Sequence, residues 1–193
     1  MSKIATLIIL AGGEGKRMGT PKHLLSTSQG TLIERLYDRL GPLFVETLVV
    51  GRGLTAYREG IRTVEDLYPA RSPLVGIYSG LSASRTDLAF VLACDMPFVK
   101  PELVRHLLAT AVDLDVAVPV VGGYFEPLCA AYRKSSIPVI EQALQRGILR
   151  VTCIYEHLRV SAMPEDEVRR VDPDLSSFVN LNTPEQLALL ARL

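Results

Sequence analysis

Short apolar runs alternate with amphipathic helical patterns along most of this chain. Residues 4–10 form a continuous apolar run that is too short for a typical helix, so they predict a buried strand. Residues 88–93 and 116–121 repeat this pattern, and shorter runs at 47–50 and 61–64 predict two more strands. Strands that alternate with helices predict a mainly parallel sheet with helices on both of its faces.

Helical periodicity and terminal signals predict the helices. In residues 31–40 four apolar side chains share one face, Thr31 and Glu34 form a capping box, and Gly41 is a stop signal. Further helices are predicted over residues 74–84, 101–112, 137–145 and 184–193. A strand is predicted over residues 126–132, and residues 151–171 predict one helix with one or two short strands. We therefore expect one α/β domain over residues 1–193, with a three-layer α/β/α, Rossmann-like architecture.

Composition narrows the classes of function. The 193 residues include 21 Lys and Arg and 21 Asp and Glu, so the chain carries no net charge, which argues against nucleic-acid binding through a large basic surface. The three cysteines are widely spaced and indicate neither a disulfide framework nor a metal site. No signal-peptide pattern or bilayer-length apolar run is present, so we expect a cytoplasmic protein with no membrane partner.

A glycine-rich segment follows the first predicted strand directly. After Leu10 and Ala11, Gly12 and Gly13 allow backbone N–H groups to approach phosphate oxygens, because glycine has no Cβ in the way. Arg17 and Lys22 add positive charge that complements a triphosphate. The segment matches neither a Walker A loop nor the dinucleotide fingerprint, and a tight turn without a ligand is the alternative.

Two carboxylates follow other strands of the predicted sheet. Asp95 comes directly after the strand at 88–93, where it could hold Mg²⁺ together with phosphate oxygens; its alternative role is to cap the turn before Pro97. Asp66 could accept hydrogen bonds from a ribose hydroxyl or from the N1–H and N2–H₂ edge of guanine, or be a surface acid. Because ligands bind at the carboxyl ends of the strands in such sheets, we expect these residues on one edge.

Near the C-terminus two amides stand close together. Thr183 is explained as the cap of the last predicted helix, but Asn180 and Asn182 are not explained by capping. They could complete a metal or phosphate shell. The three histidines show no ligand spacing and are assigned no catalytic role.

Together these motifs resemble the molybdenum cofactor guanylyltransferase (MobA) family of the nucleotidyltransferase superfamily. The resemblance spans essentially the whole chain, in order, and the Asn-x-Asn-Thr-Pro-Glu ending is its most discriminating part. The motifs are Leu10-Ala-Gly-Gly-x-Gly-x-Arg-Met-Gly with Lys22, Pro73-Leu-Val-Gly76, Ala93-Cys-Asp-Met-Pro97, Glu126-Pro-Leu-Cys-Ala-Ala-Tyr132, Gly147 with Arg150, and Phe178-Val-Asn-Leu-Asn-Thr-Pro-Glu185. The sequence departs from the family pattern in three places. Ser72 stands where a glycine is common, Gly51-Arg52-Gly53 stands where an asparagine is frequent, and His23 is unusual beside Lys22.

The resemblance implies a nucleotidyltransferase fold and a Mg²⁺-dependent reaction, in which GMP passes from GTP to molybdopterin and pyrophosphate is released. It implies that GTP binds the loop from Leu10 to Gly13, with Lys22 on its phosphates. Asp66 would contact the nucleotide, and Asp95 would bind Mg²⁺. Arg17, Lys22 and Asp95 are the catalytic candidates. Molybdopterin would lie near residues 126–132 and the two asparagines, Asn180 and Asn182.

The resemblance also implies protein partners, namely other molybdenum cofactor biosynthesis proteins and molybdoenzymes. Three alternatives stay open at this point. The enzyme could be a molybdopterin cytidylyltransferase or a sugar-phosphate nucleotidyltransferase, since a few hydrogen bonds to the base edge decide nucleotide choice. The chain could also be a GTP-binding cofactor carrier that performs no chemistry.

Overall fold

A computed structural model describes residues 4–11, 26–27 and 30–181, and a mixed sheet of eight strands forms its centre. A separate pair of two-residue strands precedes the first helix. In chain order the described strands are β1 (Ala5–Leu10), β2 (Ser26–Thr27), β3 (Gly30–Thr31), β4 (Glu46–Gly51), β5 (Ile61–Glu65), β6 (Leu88–Ala93), β7 (Val116–Val121), β8 (Tyr124–Phe125), β9 (Cys129–Arg133) and β10 (Val160–Met163).

Five α-helices connect these strands within the described residues. They are α1 (Leu32–Leu40), α2 (Pro73–Ala83), α3 (Pro101–Thr110), α4 (Ile137–Gln145) and α5 (Glu165–Val171). Short 3₁₀ helices follow or link them at Gly41–Leu43, Ala111–Asp113, Lys134–Ser136, Val151–His157 and Ser176–Phe178. None of the helices in residues 4–11, 26–27 and 30–181 combines the length and apolar character needed to cross a bilayer.

The strand order of the main sheet is β10-β7-β9-β6-β1-β4-β5, with β8 paired to β7. The central strand β1 is parallel to both neighbours, with Ile8 opposite Leu48 on β4 and Val91 on β6. Strand β9 alone on this path runs antiparallel to its neighbours β6 and β7. The turn between β7 and β8 explains the reversal, because Gly122 and Gly123 adopt φ of 58° and 83° and a connection this short returns the chain antiparallel.

Helices cover both faces of the sheet, as the alternation of elements predicts. All six residues of β1 are buried; Leu7 and Ile9 point into the cluster with α1, α3 and α5, whereas Ile8 and Leu10 point into the cluster with α2 and α4. The three-layer, mostly parallel α/β/α fold class is therefore confirmed. The assignment of residues 1–193 to one domain stays a prediction.

Most predicted elements appear within a residue or two of their expected bounds. The capping box of α1 is confirmed: the Glu34 backbone N–H donates to Thr31 Oγ1 at 3.2 Å, and Thr31 N–H donates to Glu34 Oε2 at 2.8 Å. The single strand predicted over 126–132 is wrong, because residues 126–128 form a turn between β8 and β9. The helix predicted at 184–193 lies outside the described residues.

One buried carboxylate fastens the far edge of the sheet. Asp115 precedes β7 and its side chain is 11% exposed. It accepts hydrogen bonds from Arg159 Nη2 at 3.1 Å, from the Arg159 backbone N–H at 2.9 Å and from Ser135 Oγ at 2.5 Å. These bonds hold the start of β10 and the chain after β9 beside β7. They lower the pKa of Asp115 from 3.8 to about 2, with the Arg159 side-chain hydrogen bonds as the main cause.

This pKa shift predicts acid-dependent stability. The pKa is lower in the folded state, so the contribution is complete above the unfolded value of 3.8 and is lost as pH falls toward about 2. We expect Asp115→Asn to lower the free energy of unfolding by up to about 2 kcal/mol at pH 7, with the deficit shrinking below pH 4. Urea unfolding from pH 2.5 to 7 tests this, with exposed Asp113→Asn as control; an equal deficit at every pH would contradict it.

Candidate functional site

The carboxyl edge of the sheet gathers the ends of β1, β4, β5, β6 and β7. Four of these strands pair in parallel in the order β6-β1-β4-β5, and β7 joins them because antiparallel β9 lies between β6 and β7. The residues that follow these strands therefore share one edge, as predicted. They include Ala11, Arg52, Asp66, Asp95 and the Gly122-Gly123 turn.

The exit of β1 is held firmly at the middle of this edge. Leu10 and Ala11 are about 95% buried, at 6% and 5% exposure. The Ala11 N–H donates to the Val50 carbonyl at 2.8 Å, and the Cys94 N–H donates to the Leu10 carbonyl at 3.1 Å. The chain thus enters the glycine-rich segment from a fixed point between β4 and β6. Gly12, Gly13, Arg17 and Lys22 lie outside the described residues, so their roles stay predictions.

Helix α2 begins directly against this exit. A Cβ on Gly76 would lie 2.9 Å from Leu10 Cδ2, which is closer than packed carbon atoms approach each other. The absence of a side chain at Gly76 therefore lets the first turns of α2 pack on the end of β1. Ser72 caps this helix, since its Oγ accepts a hydrogen bond from the Leu74 N–H at 3.1 Å.

Asp95 occupies a tight turn one strand away. Its side chain is half-buried, and the Met96 N–H closes the turn by donating to the Ala93 carbonyl at 3.2 Å. The Asp95 backbone carbonyl accepts a hydrogen bond from the Leu181 N–H at 2.8 Å. The carboxylate at the end of β6 is thereby tied to the C-terminal segment, which sequence spacing alone did not reveal.

The C-terminal segment brings Asn180 to the same turn. Leu181 is 1% exposed and packs with Leu32 and Phe98, whereas the neighbouring Asn180 side chain is exposed. The Leu181–Asp95 hydrogen bond therefore places an accessible amide beside the Asp95 turn, and the role of Asn180 in a metal or phosphate shell stays a prediction. Asn182 lies outside the described residues.

A buried ion pair anchors the other end of this segment. The Asp172 side chain has no exposed surface and lies 2.8 Å from Lys100 Nζ. It also accepts hydrogen bonds from the backbone N–H groups of Ser176 at 3.2 Å and Ser177 at 2.8 Å. These bonds lower the pKa of Asp172 against the opposing effect of burial. Sequence reasoning missed this residue, because Ser176 and Ser177 are four and five residues away, beyond the two- or three-residue reach of the common aspartate-capped turns.

Lys100 makes this anchor part of the site. It ends the loop that begins at Asp95, and its backbone N–H donates to Ser177 Oγ at 3.0 Å. The loop from Asp95 to Lys100 and the segment from Asp172 to Leu181 are therefore bonded to each other at both ends. The Asp172–Lys100 pair therefore helps to fix the position of the C-terminal segment along the loop that begins at Asp95.

Asp66 lies at the other side of the edge, after β5. Its carboxylate is 15% exposed, and Oδ2 lies 3.4 Å from Arg52 Nε in the turn after β4. Burial raises the pKa of Asp66, and the Arg52 guanidinium opposes that rise. Asp66 and Asp95 follow strands three spacings apart, about 14 Å at the usual strand separation of about 4.8 Å. One small group cannot touch both carboxylates, whereas an extended ligand can.

The turn from Glu126 to Leu128 lies on the opposite side of Asp95. The Ala93 N–H donates to the Leu128 carbonyl at 3.0 Å, so this turn adjoins the end of β6. Glu126 is half-buried and burial raises its pKa. The next residues, Cys129 to Tyr132, are fully buried, so of the segment that the resemblance assigns to molybdopterin only the turn reaches the surface.

The described residues contain no group of three or more His, Cys, Asp and Glu side chains placed to hold a metal ion. Asp95 does not belong to an all-protein metal cage in this part of the chain. A single carboxylate such as that of Asp95 still suits Mg²⁺, because this ion is commonly bound by one or two carboxylates with phosphate oxygens and water completing its shell.

Comparison with known proteins places this architecture among the nucleotidyltransferases. The family model described as "MobA-like NTP transferase domain" matches residues 7–160. The chain belongs to this MobA-like NTP transferase family, so the family predicted from the motifs is confirmed.

Individual relatives agree with that assignment. A probable molybdenum cofactor guanylyltransferase of Pelotomaculum thermopropionicum is 37% identical over 187 residues, which cover 95% of this chain and 90% of the relative. The molybdenum cofactor guanylyltransferase of Desulfosudis oleivorans is 38% identical over 186 residues, 94% of this chain and 92% of the relative.

Solved structures show the same fold. Molybdopterin-guanine dinucleotide biosynthesis protein A from Archaeoglobus fulgidus superposes with a TM-score of 0.83 at 30% identity, covering 97% of this chain and 100% of that one. A 2-C-methyl-D-erythritol 4-phosphate cytidylyltransferase from Thermus thermophilus superposes at 0.71 with 18% identity, covering all of both chains, and shares the fold.

The buried anchor generates a stability prediction. We expect Asp172→Asn to lower the free energy of unfolding by about 2–4 kcal/mol, because it leaves the Lys100 ammonium without its partner and weakens the Ser176–Ser177 turn. Urea unfolding measures the loss, and amide hydrogen exchange at Leu181 should accelerate.

Asp174→Asn is the matched control, since Asp174 is exposed in the same turn. It should change neither quantity. Unchanged exchange at Leu181 in the Asp172 variant would show that the anchor does not position the segment beside Asp95.

Proposed function

We propose that this protein transfers GMP from GTP to molybdopterin, forming the guanine dinucleotide form of the molybdenum cofactor and releasing pyrophosphate. The observation that carries the proposal is the position of Asp95 at the middle of the carboxyl edge. On one side lie the exits of β1, β4 and β5, and on the other lies the Glu126–Leu128 turn, while the C-terminal segment is bonded to the Asp95 turn itself. Such an edge suits two substrates that meet at one carboxylate. The similarity to relatives named as molybdenum cofactor guanylyltransferases supports this reaction.

The nucleotide would occupy the side that contains β1. The backbone after Leu10 and Ala11, with Gly12 and Gly13, would donate N–H groups to the phosphates, and Lys22 and Arg17 would neutralise their charge. Asp66, about 14 Å from the end of β6, would accept hydrogen bonds from the base or the ribose.

Asp95 is the residue that would hold Mg²⁺. When bound, the ion would neutralise phosphate charge at the α-phosphorus. Mg²⁺ dependence is part of the proposal, and its support is the half-buried carboxylate at the strand end beside the predicted phosphate loop.

The proposed reaction is an in-line displacement. An oxygen of the terminal phosphate of molybdopterin forms a bond to the α-phosphorus of GTP, while the bond to the bridging oxygen of the β-phosphate breaks and pyrophosphate leaves with that oxygen. This chemistry needs no protein nucleophile, because positioning and charge neutralisation are what it asks of the enzyme. The firmly held exit of β1 and the doubly bonded Asp95 loop are suited to positioning.

The acceptor would lie on the other side of Asp95. The accessible Glu126–Leu128 turn, the exposed Asn180 side chain and, beyond the described residues, Asn182 are the groups that would contact it. A cytoplasmic location and encounters with other molybdenum cofactor biosynthesis proteins and molybdoenzymes complete the proposal.

The direct test is pyrophosphate release after mixing the protein with molybdopterin, Mg²⁺ and each of GTP, CTP, ATP and UTP. We expect release with GTP and formation of the guanine dinucleotide by mass spectrometry. Release with CTP alone would replace the proposal by a cytidylyltransferase, and binding of GTP without release would replace it by a carrier function.

Asp95→Asn should abolish GMP transfer while leaving the fold intact, because the amide removes the charge that would hold Mg²⁺ but keeps the size of the side chain. Transfer rates and thermal unfolding measure the two effects. Asp87→Asn is the control, since this exposed aspartate precedes the other end of the same strand. Near-normal turnover of the Asp95 variant would refute the assignment of Mg²⁺ to this residue.

Lys22→Ala should cost about 2–4 kcal/mol of transition-state stabilisation, because a charge that neutralises the departing pyrophosphate is lost. This corresponds to a fall in kcat/KM of about 30- to 1000-fold. Steady-state kinetics with GTP as the varied substrate measure it, and an unchanged kcat/KM would remove Lys22 from the site.

A further inference from the structure

The guanidinium of Arg52 joins the turn after β4 to the loop after β5. Its Nη2 donates to the Tyr68 carbonyl at 2.6 Å and to the Ala70 carbonyl at 3.1 Å, while its Nε lies 3.4 Å from Asp66 Oδ2. One side chain therefore contacts the start, the middle and the end of the loop from Asp66 to Ala70. A planar guanidinium can satisfy several acceptors at fixed angles in a way that an ammonium cannot.

The loop backbone has supports of its own. The Leu67 N–H donates to the buried Ser79 Oγ at 2.9 Å, and the Tyr68 ring packs edge-on against Tyr78 with 5.3 Å between ring centroids. Helix α2 therefore supports the loop backbone through Ser79 and Tyr78. Arg52 supplies what these contacts do not, a positive charge beside the Asp66 carboxylate.

Charge compensation at Asp66 matters because the carboxylate is 15% exposed. Burial alone raises the pKa of Asp66 and so favours the protonated form. The charged groups that act on it are Arg52, which lowers the pKa, and Glu65, which raises it further. A protonated carboxyl loses acceptor capacity for the N–H and O–H donors of a ligand.

We propose that Arg52 is a positioning residue of the nucleotide site, holding the Asp66 carboxylate in place to accept hydrogen bonds from a guanosine nucleotide. This inference rests on the proposed function. In it Arg52 acts through Asp66 and does not itself contact the nucleotide. The donors are the N1–H and N2–H₂ edge of guanine or a ribose hydroxyl.

Arg62 provides a matched control within the same pair of strands. It lies on β5, where its Nη2 donates to Glu46 Oε2 at 3.2 Å and to the Ala83 carbonyl at 2.7 Å. It therefore makes the same kind of carboxylate-and-carbonyl contacts as Arg52, but beside Glu46, at the opposite edge of the sheet from Asp66.

The test is titration calorimetry with GTP and Mg²⁺ on the full chain and its variants. We expect Arg52→Gln to raise the Kd for GTP about tenfold at pH 7, with Arg52→Lys in between and Arg62→Gln within twofold of the wild type. KM for GTP should rise in parallel, whereas kcat and KM for molybdopterin stay within about twofold. Thermal unfolding of each variant establishes that it is folded.

A double-mutant cycle separates action through Asp66 from direct contact. Asp66→Asn should weaken GTP binding by itself, and adding Arg52→Gln to it should cause little further loss, because the two residues act as one unit. Additive losses would mean that Arg52 contacts the nucleotide directly and would overturn the inference. So would an Arg52→Gln variant that binds GTP as the wild type does.

The pH dependence of GTP binding gives a readout that a merely structural role would not move. Affinity is lost as pH falls through the pKa of Asp66, and removal of Arg52 lets that pKa rise further. Arg52→Gln should therefore shift the acid limb of GTP binding to higher pH, and in an Asp66→Asn background Arg52→Gln should no longer shift it. An acid limb that is identical in the wild type and Arg52→Gln would overturn the inference.

Nucleotide analogues identify the donor. If Asp66 contacts the base, the wild type should bind GTP more tightly than ITP, which lacks the 2-amino group; if it contacts the ribose, 2′-deoxy-GTP should bind more weakly. Either preference should shrink in Arg52→Gln and vanish in Asp66→Asn. A wild type that shows neither preference would overturn the inference. GTP binding that depends on Arg52 without any GMP transfer would instead refute the proposed function and leave the inference standing.

Discussion

The parallel pairing of β1 with both β4 and β6 is the constraint on which the rest of the molecule depends. Because β1 is buried on both faces, its register is set by two helical layers at once. Its carboxyl end is further bonded through Ala11 to Val50 and through Leu10 to Cys94. The loops after β4 and β6 leave the sheet next to this fixed point, and the loop after β5 leaves one strand further away, so the spacing of the candidate site is set by the sheet.

A second feature of the structure is that the C-terminal segment returns to the carboxyl edge of the sheet at the loop after β6. The Asp172–Lys100 pair and the Leu181–Asp95 hydrogen bond fasten the C-terminal segment along the loop after β6. A half-buried carboxylate and an exposed amide separated by 85 positions in the chain thereby become neighbours. The bonds that join them are a backbone hydrogen bond and a buried ion pair.

Three buried or half-buried aspartates, Asp66, Asp115 and Asp172, each have a cationic partner, but their pKa values do not shift in the same direction. Asp115 and Asp172 have enough donors to lower their pKa values, which suits structural anchors at an edge and at a turn. Asp66 has one guanidinium partner, and burial still raises its pKa. An acid whose charge is only partly compensated by its own protein is better able to gain from a ligand's donors.

The order of strands and helices, the fold class and the family were determined by the sequence itself, because hydrophobic periodicity, caps and the strand-end motifs are local signals. Local signals also placed Asp66 and Asp95 on one edge. The tertiary structure alone decided that Asp172 anchors the C-terminal segment and that Arg52 is the partner of Asp66. These depend on contacts between residues far apart in the chain, whose energies come from burial and charge pairing after the sheet has assembled, and no local pattern encodes them.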